Sequence, residues 1–197
     1  MNIGIDFDGV IFDTERMLRA YSAFYNYKIN GSDMLDPEEQ TAERRYAWTS
    51  EQIQQFFRES LLDSYKKAPL MYYAKEVLAY MKKQGHKIYG ITRRGLIFPE
   101  EIKASEKRLK KEKIVFDKII YSAENKAEIC KQLNIDFLID DNASNVDSVC
   151  NAGIKCFHLR DNVLKFCKHE NATEVRNWGD IFVELKKLEN TQTNNLA

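Results

Sequence analysis

The sequence is poor in the features that would take it outside the ordinary globular class. It has no net charge, with 30 Lys and Arg against 30 Asp and Glu. No excess of one sign therefore draws the chain onto a nucleic-acid polymer or an acidic membrane. No apolar run approaches the roughly 20 residues that span a bilayer, and the N-terminus enters a strand-like pattern directly, without a signal-peptide core ahead of it. Only four cysteines are present, Cys130, Cys150, Cys156 and Cys167, and none forms a Cys-x-x-Cys pair. The reading is of reduced thiols in a cytoplasmic protein. The three prolines stand at boundaries: Pro37 and Pro99 where helical patterns open, Pro69 where one closes. A chain of 197 residues holds one domain with a sizeable core, or a core plus a small insert.

What is present begins at once. Residues 3–13, Ile-Gly-Ile-Asp-Phe-Asp-Gly-Val-Ile-Phe-Asp, read as a buried strand that delivers Asp6 and Asp8 to its carboxyl end, where Gly9 lets the chain turn. The two carboxylates share a side while the strand continues. Anions that close repel unless a cation lies between them or one holds a proton. Two further apolar runs end in polar groups, residues 88–92 in Thr92 and residues 137–142 in the pair Asp140-Asp141. Between them Asn125-Lys126 opens a helical pattern with an ammonium in its first turn.

Strand-Asp-x-Asp, strand-Thr, helix-Lys and strand-Asp-Asp, in that order, resemble the four motifs of the haloacid dehalogenase superfamily. Strands separated by helical crossovers also call for a parallel sheet with helices on both faces, and ligands of such sheets bind beyond the carboxyl ends of the strands. The expected fold is α/β, a three-layer Rossmann-like parallel sheet with a small helical cap inserted after the first strand. Residues 1–13 and 69–190 make the core, residues 14–68 the cap and residues 191–197 a disordered tail. Within the cap, Met17, Leu18, Tyr21, Phe24 and Tyr25 recur at helical spacing, Asp36-Pro37 looks like a second helix start, and Thr49-Ser50-Glu51-Gln52 opens another. Strands follow at 86–92, within 114–121, at 137–139 and, last, at 155–159, with a terminal helix containing Ile181, Phe182, Leu185 and Leu188. The Lys- and Glu-rich helix from Pro99 reads as a solvated face.

A carboxylate cluster without nearby His or Cys suits a hard cation, and Mg2+ is the usual one where phosphate completes the shell. A carboxylate approaching a phosphate dianion meets repulsion of about 4 kcal/mol per unit-charge pair at 4 Å, which the metal and Lys126 offset. The resemblance then implies roles. Asp6 is the nucleophile that forms an acyl-phosphate, and Asp8 the acid that protonates the leaving oxygen and later deprotonates water. Asp6, the backbone carbonyl of Asp8 and Asp141 ligate the metal, Asp140 holds a coordinated water, and the sequence leaves open which of Asp140 and Asp141 touches the ion. Thr92, Arg93 and Lys126 hold phosphate, and Phe24, Trp48, Arg94 and Tyr72 line the substrate pocket. Phe56 is a further pocket candidate, although an aromatic stripe at helical spacing equally packs a cap's own core.

Asp8 favours a phosphatase over a dehalogenase, because halide leaves without a proton. The start of the chain and residues 138–142 look most like the 5'(3')-deoxyribonucleotidase branch and its bacterial relatives. That branch implies an aromatic pair after Ala-Pro, which is absent here or displaced to Tyr72-Tyr73. The expected function is magnesium-dependent phosphomonoester hydrolysis of a nucleoside monophosphate or similar small phosphorylated metabolite. A non-catalytic phosphate- and metal-binding regulatory module of the same fold and a phosphomutase are the alternatives, and the sequence leaves the oligomeric state open. The repeated Cys-x-His triplets, Cys156 to His158 and Cys167 to His169, are the one hint of zinc. The plain alternative puts Cys156 and His158 on alternate positions of a strand and Cys167 on a helix.

Overall fold

A computed structural model describes residues 1–37, 39, 41–160 and 167–194. Six strands, β1 (Asn2–Ile5), β2 (Lys87–Ile91), β3 (Lys118–Ile120), β4 (Phe137–Asp140), β5 (Lys155–Leu159) and β6 (Ala172–Val175), form one sheet in the order β3-β2-β1-β4-β5-β6. Every pairing is parallel. Helices α3 (Ala74–Lys83), α4 (Glu100–Glu112), α5 (Lys126–Gln132), α6 (Ala143–Asn151) and α7 (Trp178–Asn194) carry the crossovers and the C-terminal end. The winding runs outward from β1 to β3 and then reverses from β4 to β6, so the crevice at the carboxyl ends opens between β1 and β4. Register places Ile5 beside Ile139, and the Asp6 amide donates to the Ile139 carbonyl at 3.0 Å. The two acidic strand ends are thereby neighbours.

The period of two along each strand sorts the core into layers. Ile3, Ile5, Phe137 and Ile139 pack on one face with Val77 and Met81 of α3 and Trp178 and Leu185 of α7. Leu138 and Ile91 pack on the other with Cys130 of α5 and Val146 and Val149 of α6. Between β1 and α3 lies the helical insert. It consists of α1 (Thr14–Lys28), a single 3-10 turn (Ala42–Arg44) and α2 (Ser50–Lys67). The chain leaves and re-enters the core side by side, with Asp13 N bonded to Pro69 O at 2.9 Å and Met71 N to Ile11 O at 2.8 Å. The insert has its own small core of Tyr25, Ala42, Tyr46, Trp48 and Phe56. A reciprocal capping box, Gln52 N to Thr49 Oγ1 and Thr49 N to Gln52 Oε1, starts α2 as its sequence signature predicts.

Four details differ from the sequence reading. Strand β5 is not the last: β6 lies outside it at the sheet edge, and only its Val175 is buried, so the segment lacks the apolar alternation that marks a strand. No α-helix follows Asp36-Pro37 among the described residues. Arg19 instead binds the Pro37 and Glu39 carbonyls at 3.1 and 3.3 Å, while Glu38 and Gln40 of the expected helix start lie outside the described residues. The tail expected to be disordered is helical through Asn194, with Thr191 Oγ1 donating to Lys187 O; residues 195–197 lie outside the described residues. Cys167 stands in irregular backbone rather than on a helix. No helix among the described residues is long and apolar enough to cross a membrane.

Candidate active site

Asp6 follows directly on β1 and is buried. Lys126, the first residue of α5, donates to Asp6 Oδ2 at 2.9 Å and to Asp140 Oδ2 at 2.7 Å. Asn125 caps that helix by accepting the Glu128 amide, which fixes where the lysine departs. Asp6, Asp140 and Asp141 are all buried, and one carboxylate oxygen of each lies within 4.8 Å of the others. Burial raises the Asp6 carboxyl to about 7, with Asp140 and Asp8 adding to the rise and Lys126 opposing it. Burial, then Asp140 and Asp6, push Asp141 well above the carboxylate range. Burial opposes the charge of Lys126, yet its two carboxylate partners raise it. Three buried carboxyl groups gathered around one ammonium put acidic groups in surplus in a water-poor place. An oxygen-only donor set with that surplus fits a hard divalent cation such as Mg2+.

The paired aspartates are not equivalent. Asp140 is fully engaged: Lys126 binds Oδ2, the Asn142 amide binds Oδ1 at 2.9 Å, and Asn145 Nδ2 reaches Oδ1 at 3.1 Å. Asp141 stands against Gly9, whose backbone has φ +71°. Its main chain is anchored by His158. Nδ1 of that imidazole accepts the Cys167 amide at 2.9 Å, so Nε2 carries the proton and donates to Asp141 O at 3.1 Å. Burial holds the His158 ring below its ordinary pKa. The sequence offers His158 as part of a metal triplet or as an alternate position of a strand, which β5 bears out, and carries no signal of this anchoring role.

Asp8 is paired with Arg94. Its Oδ2 accepts from Arg94 Nε at 2.9 Å and its Oδ1 from Arg94 Nη2 at 2.6 Å, a bidentate pair. Thr92, fully buried at the end of β2, accepts the Arg94 amide on its hydroxyl at 3.3 Å. Arg93 is exposed and lines the cleft.

The cleft above these groups has a volume of about 210 Å³. The core contributes Asp6, Asp8, Arg93 and Asp141, and the insert contributes Glu15, Leu18, Thr41, Ala42 and Glu43. Burial raises the Glu43 carboxyl, and Glu15 is paired with Arg19 at 2.7 Å. The structure thus brings Asp6, Asp8, Arg93, Asp141, Lys126 and Asp140 together. It separates the other expected pocket residues from them. Phe24 is 75% exposed and flanks a different depression beside Lys28 and Glu59. Tyr72 is 90% exposed near Arg176 and Trp178. Trp48 and Phe56 pack the insert's own core, Trp48 donating to Asn26 Oδ1 at 2.8 Å. Arg94 is buried against Asp8 and is absent from the cleft lining. The Cys-x-His repeat does not converge either: Cys156 Sγ faces Val146 O, and His169 Nδ1 accepts the Asn171 amide. Among the described residues the carboxylate trio is the only metal-type cluster.

Comparison with solved structures shows the same architecture. A haloacid dehalogenase superfamily hydrolase from Ehrlichia chaffeensis superposes with TM-score 0.56 at 18% identity, covering 95% of this chain and 96% of that one. A haloacid dehalogenase-like hydrolase from Streptococcus pneumoniae gives 0.64 at 15% identity, covering 91% and 96%. A proposed β-phosphoglucomutase from Thermotoga maritima gives 0.63 at 18% identity, covering 95% and 99%. No curated protein matches the chain in sequence. The sequence does match a family over residues 1–188, that of 5' nucleotidase, deoxy (pyrimidine), cytosolic type C protein. With nearly the whole chain matched and the four motifs gathered at one sheet edge, the protein belongs to that family of haloacid dehalogenase-like phosphatases and is an enzyme of this class.

Proposed function

We propose that this enzyme is a magnesium-dependent phosphomonoester hydrolase that works through an aspartyl-phosphate on Asp6, with a deoxynucleoside monophosphate or a similar small phosphorylated metabolite as substrate. One observation carries the reading: Asp6 opens on the cleft while Lys126 holds its Oδ2 at 2.9 Å beside Asp141. A nucleophile needs a free oxygen, a fixed direction and neighbouring positive charge. Asp6 and Asp141, with the backbone carbonyl of Asp8, would hold the Mg2+, and Asp140 would orient its water. When bound, the ion supplies positive charge to the phosphoryl oxygens and relieves the crowding of carboxylates.

The chain's own residues do the rest. Lys126 and Arg93 face the substrate phosphate with positive charge, and the Thr92 hydroxyl, which accepts from Arg94, keeps its proton to donate. Asp8 supplies the proton to the leaving oxygen. The insert covers the cleft with Leu18, Ala42 and the acids Glu15 and Glu43. That surface suits a leaving group rich in hydrogen-bond donors and opposes a second phosphate. No aromatic ring lines the cleft among the described residues, so a base would be held by edge contacts rather than by stacking. The unpaired thiols and the family's cytosolic description suit a cytoplasmic setting.

The test is phosphate release from deoxynucleoside monophosphates, sugar phosphates and cofactor phosphates, with Mg2+ and with a chelator. Magnesium-dependent release that favours deoxynucleoside monophosphates is expected. Weak release across all classes would remove the nucleotide assignment, and none from any substrate would remove the hydrolase.

A further inference from the structure

We infer that Arg94 is a positioning residue for the acid–base group Asp8, fixing the direction in which that carboxyl delivers and collects its proton. The inference rests on the hydrolase reading above and goes beyond it, since the superfamily motifs assign no such arginine. Arg94 is fully buried, an expensive place for a guanidinium unless every side of it is used. Every side is used. Its Nε and Nη2 fork both oxygens of Asp8, and its Nη1 donates to Ser105 Oγ at 3.0 Å. Ser105 is itself held by donating to the Glu101 carbonyl at 2.7 Å. Three rings surround the cation, with Tyr65, Phe12 and Phe7 centroids 4.1, 4.9 and 5.6 Å from Cζ. Phe7 and Phe12 belong to the core and Tyr65 to α2 of the insert, so both halves of the molecule clamp one guanidinium.

The Thr92–Gly95 turn that delivers Arg94 is fastened from the same helix. The buried Glu101 carboxylate accepts the Gly95 and Phe98 amides, so two buried polar residues on α4 serve one arginine. Each carboxylate oxygen has two lone-pair sites, and the fork fills one on each. Any proton that Asp8 takes up has only the sites that point away from Arg94, while Asp8 lines the cleft beside Asp6. In the first step an Asp6 oxygen bonds to phosphorus, the bond from phosphorus to the leaving oxygen breaks, and the Asp8 proton ends on that oxygen. In the second, water bonds to phosphorus, the bond to Asp6 breaks, and the water proton passes to Asp8. Both transfers run through the Asp8 lone-pair sites that the fork leaves open.

A residue that only supports the fold would slow all substrates alike, whereas one that aims the acid matters most where the leaving group needs a proton. The experiment compares p-nitrophenyl phosphate, whose leaving group departs unprotonated, with thymidine 5'-monophosphate, whose leaving group does not. Arg94→Met is expected to lower thymidine monophosphate turnover by roughly 10²-fold. It should leave the rate of the first nitrophenolate burst within about threefold of wild type, because that step needs no acid. Arg94→Lys, a point charge without a fork, should fall between the two. Ser105→Ala, which keeps the ion pair and loosens its support, should shift the same ratio by a smaller factor and carries the test should Arg94→Met fail to fold. Equal losses with the two substrates, or no loss with either, would overturn the positioning role while leaving the hydrolase reading in place. A wild-type enzyme inert toward both would overturn the two together.

Discussion

A β-carbon on Gly9 would lie 2.0 Å from Asp141 Oδ2 and 2.5 Å from its Cγ. The glycine after the Asp-x-Asp motif is therefore there for the second acidic motif as much as for its own turn. Gly9→Ala must displace the Asp141 carboxylate, and its φ of +71° adds about 1–2 kcal/mol of backbone strain. The expected result is roughly 10- to 100-fold weaker Mg2+ affinity, read as a rise in the metal concentration that gives half-maximal phosphate release. An unchanged metal requirement would mean that Asp141 does not touch the ion.

Lys126 is the only cation in contact with Asp6 and Asp140 among the described residues. Removing it leaves buried carboxylates without compensation. Lys126→Met should lower stability by about 3–5 kcal/mol in urea unfolding with a chelator present. A loss under about 1 kcal/mol, the range of exposed pairs, would show that the pair is solvated.

Metal binding should stabilise the fold because the ion neutralises the carboxylate surplus. At a magnesium concentration 100 times the dissociation constant the gain is about 2.7 kcal/mol, visible as a raised thermal midpoint. Asp141→Asn should abolish the rise. Asp8→Asn should keep it, since the Asp8 side chain is engaged by Arg94 and Asp8 would offer the ion only its backbone carbonyl. Equal rises in wild type and Asp141→Asn would place the ion elsewhere.

The aromatic residues of the insert divide by burial. Phe24→Ala and Tyr72→Ala should leave kcat/KM within about twofold, because both rings stand in solvent away from the cleft. Phe56→Ala, at the centre of the insert's own core, should cost about 3–5 kcal/mol in stability. A large loss of kcat/KM in Phe24→Ala would return that ring to the substrate.

The catalytic frame was legible because an apolar run that ends in Asp or Thr announces both a buried strand and the group it carries to the sheet edge. Asp6, Thr92 and the Asp140-Asp141 pair stand out that way, and Lys126 by the helix start at Asn125. Aromatic residues in the insert were not separable by the same means. A helical stripe of rings gives one pattern whether it faces a pocket or its own core, and Trp48 chose the core by stacking on Tyr46 at 5.2 Å. Arg94 reads from sequence as a pocket residue in the turn after Thr92, since its actual partner Asp8 is 86 positions away. Glu101 and Ser105 were hidden for a related reason, being two buried polar residues in a helix most of whose other charges face water. Edge strand β6 had no signal to find, because half-exposed Ala-Thr-Glu matches loop as well as strand.

The proposed covalent step depends on an Asp6 oxygen bonding to phosphorus. Its most direct test is steady-state phosphate release from thymidine 5'-monophosphate with Mg2+ by Asp6→Asn, with folding checked by thermal melting. A correctly folded variant slower than wild type by roughly 10⁴-fold is predicted. A folded Asp6→Asn enzyme with turnover near that of wild type would contradict it.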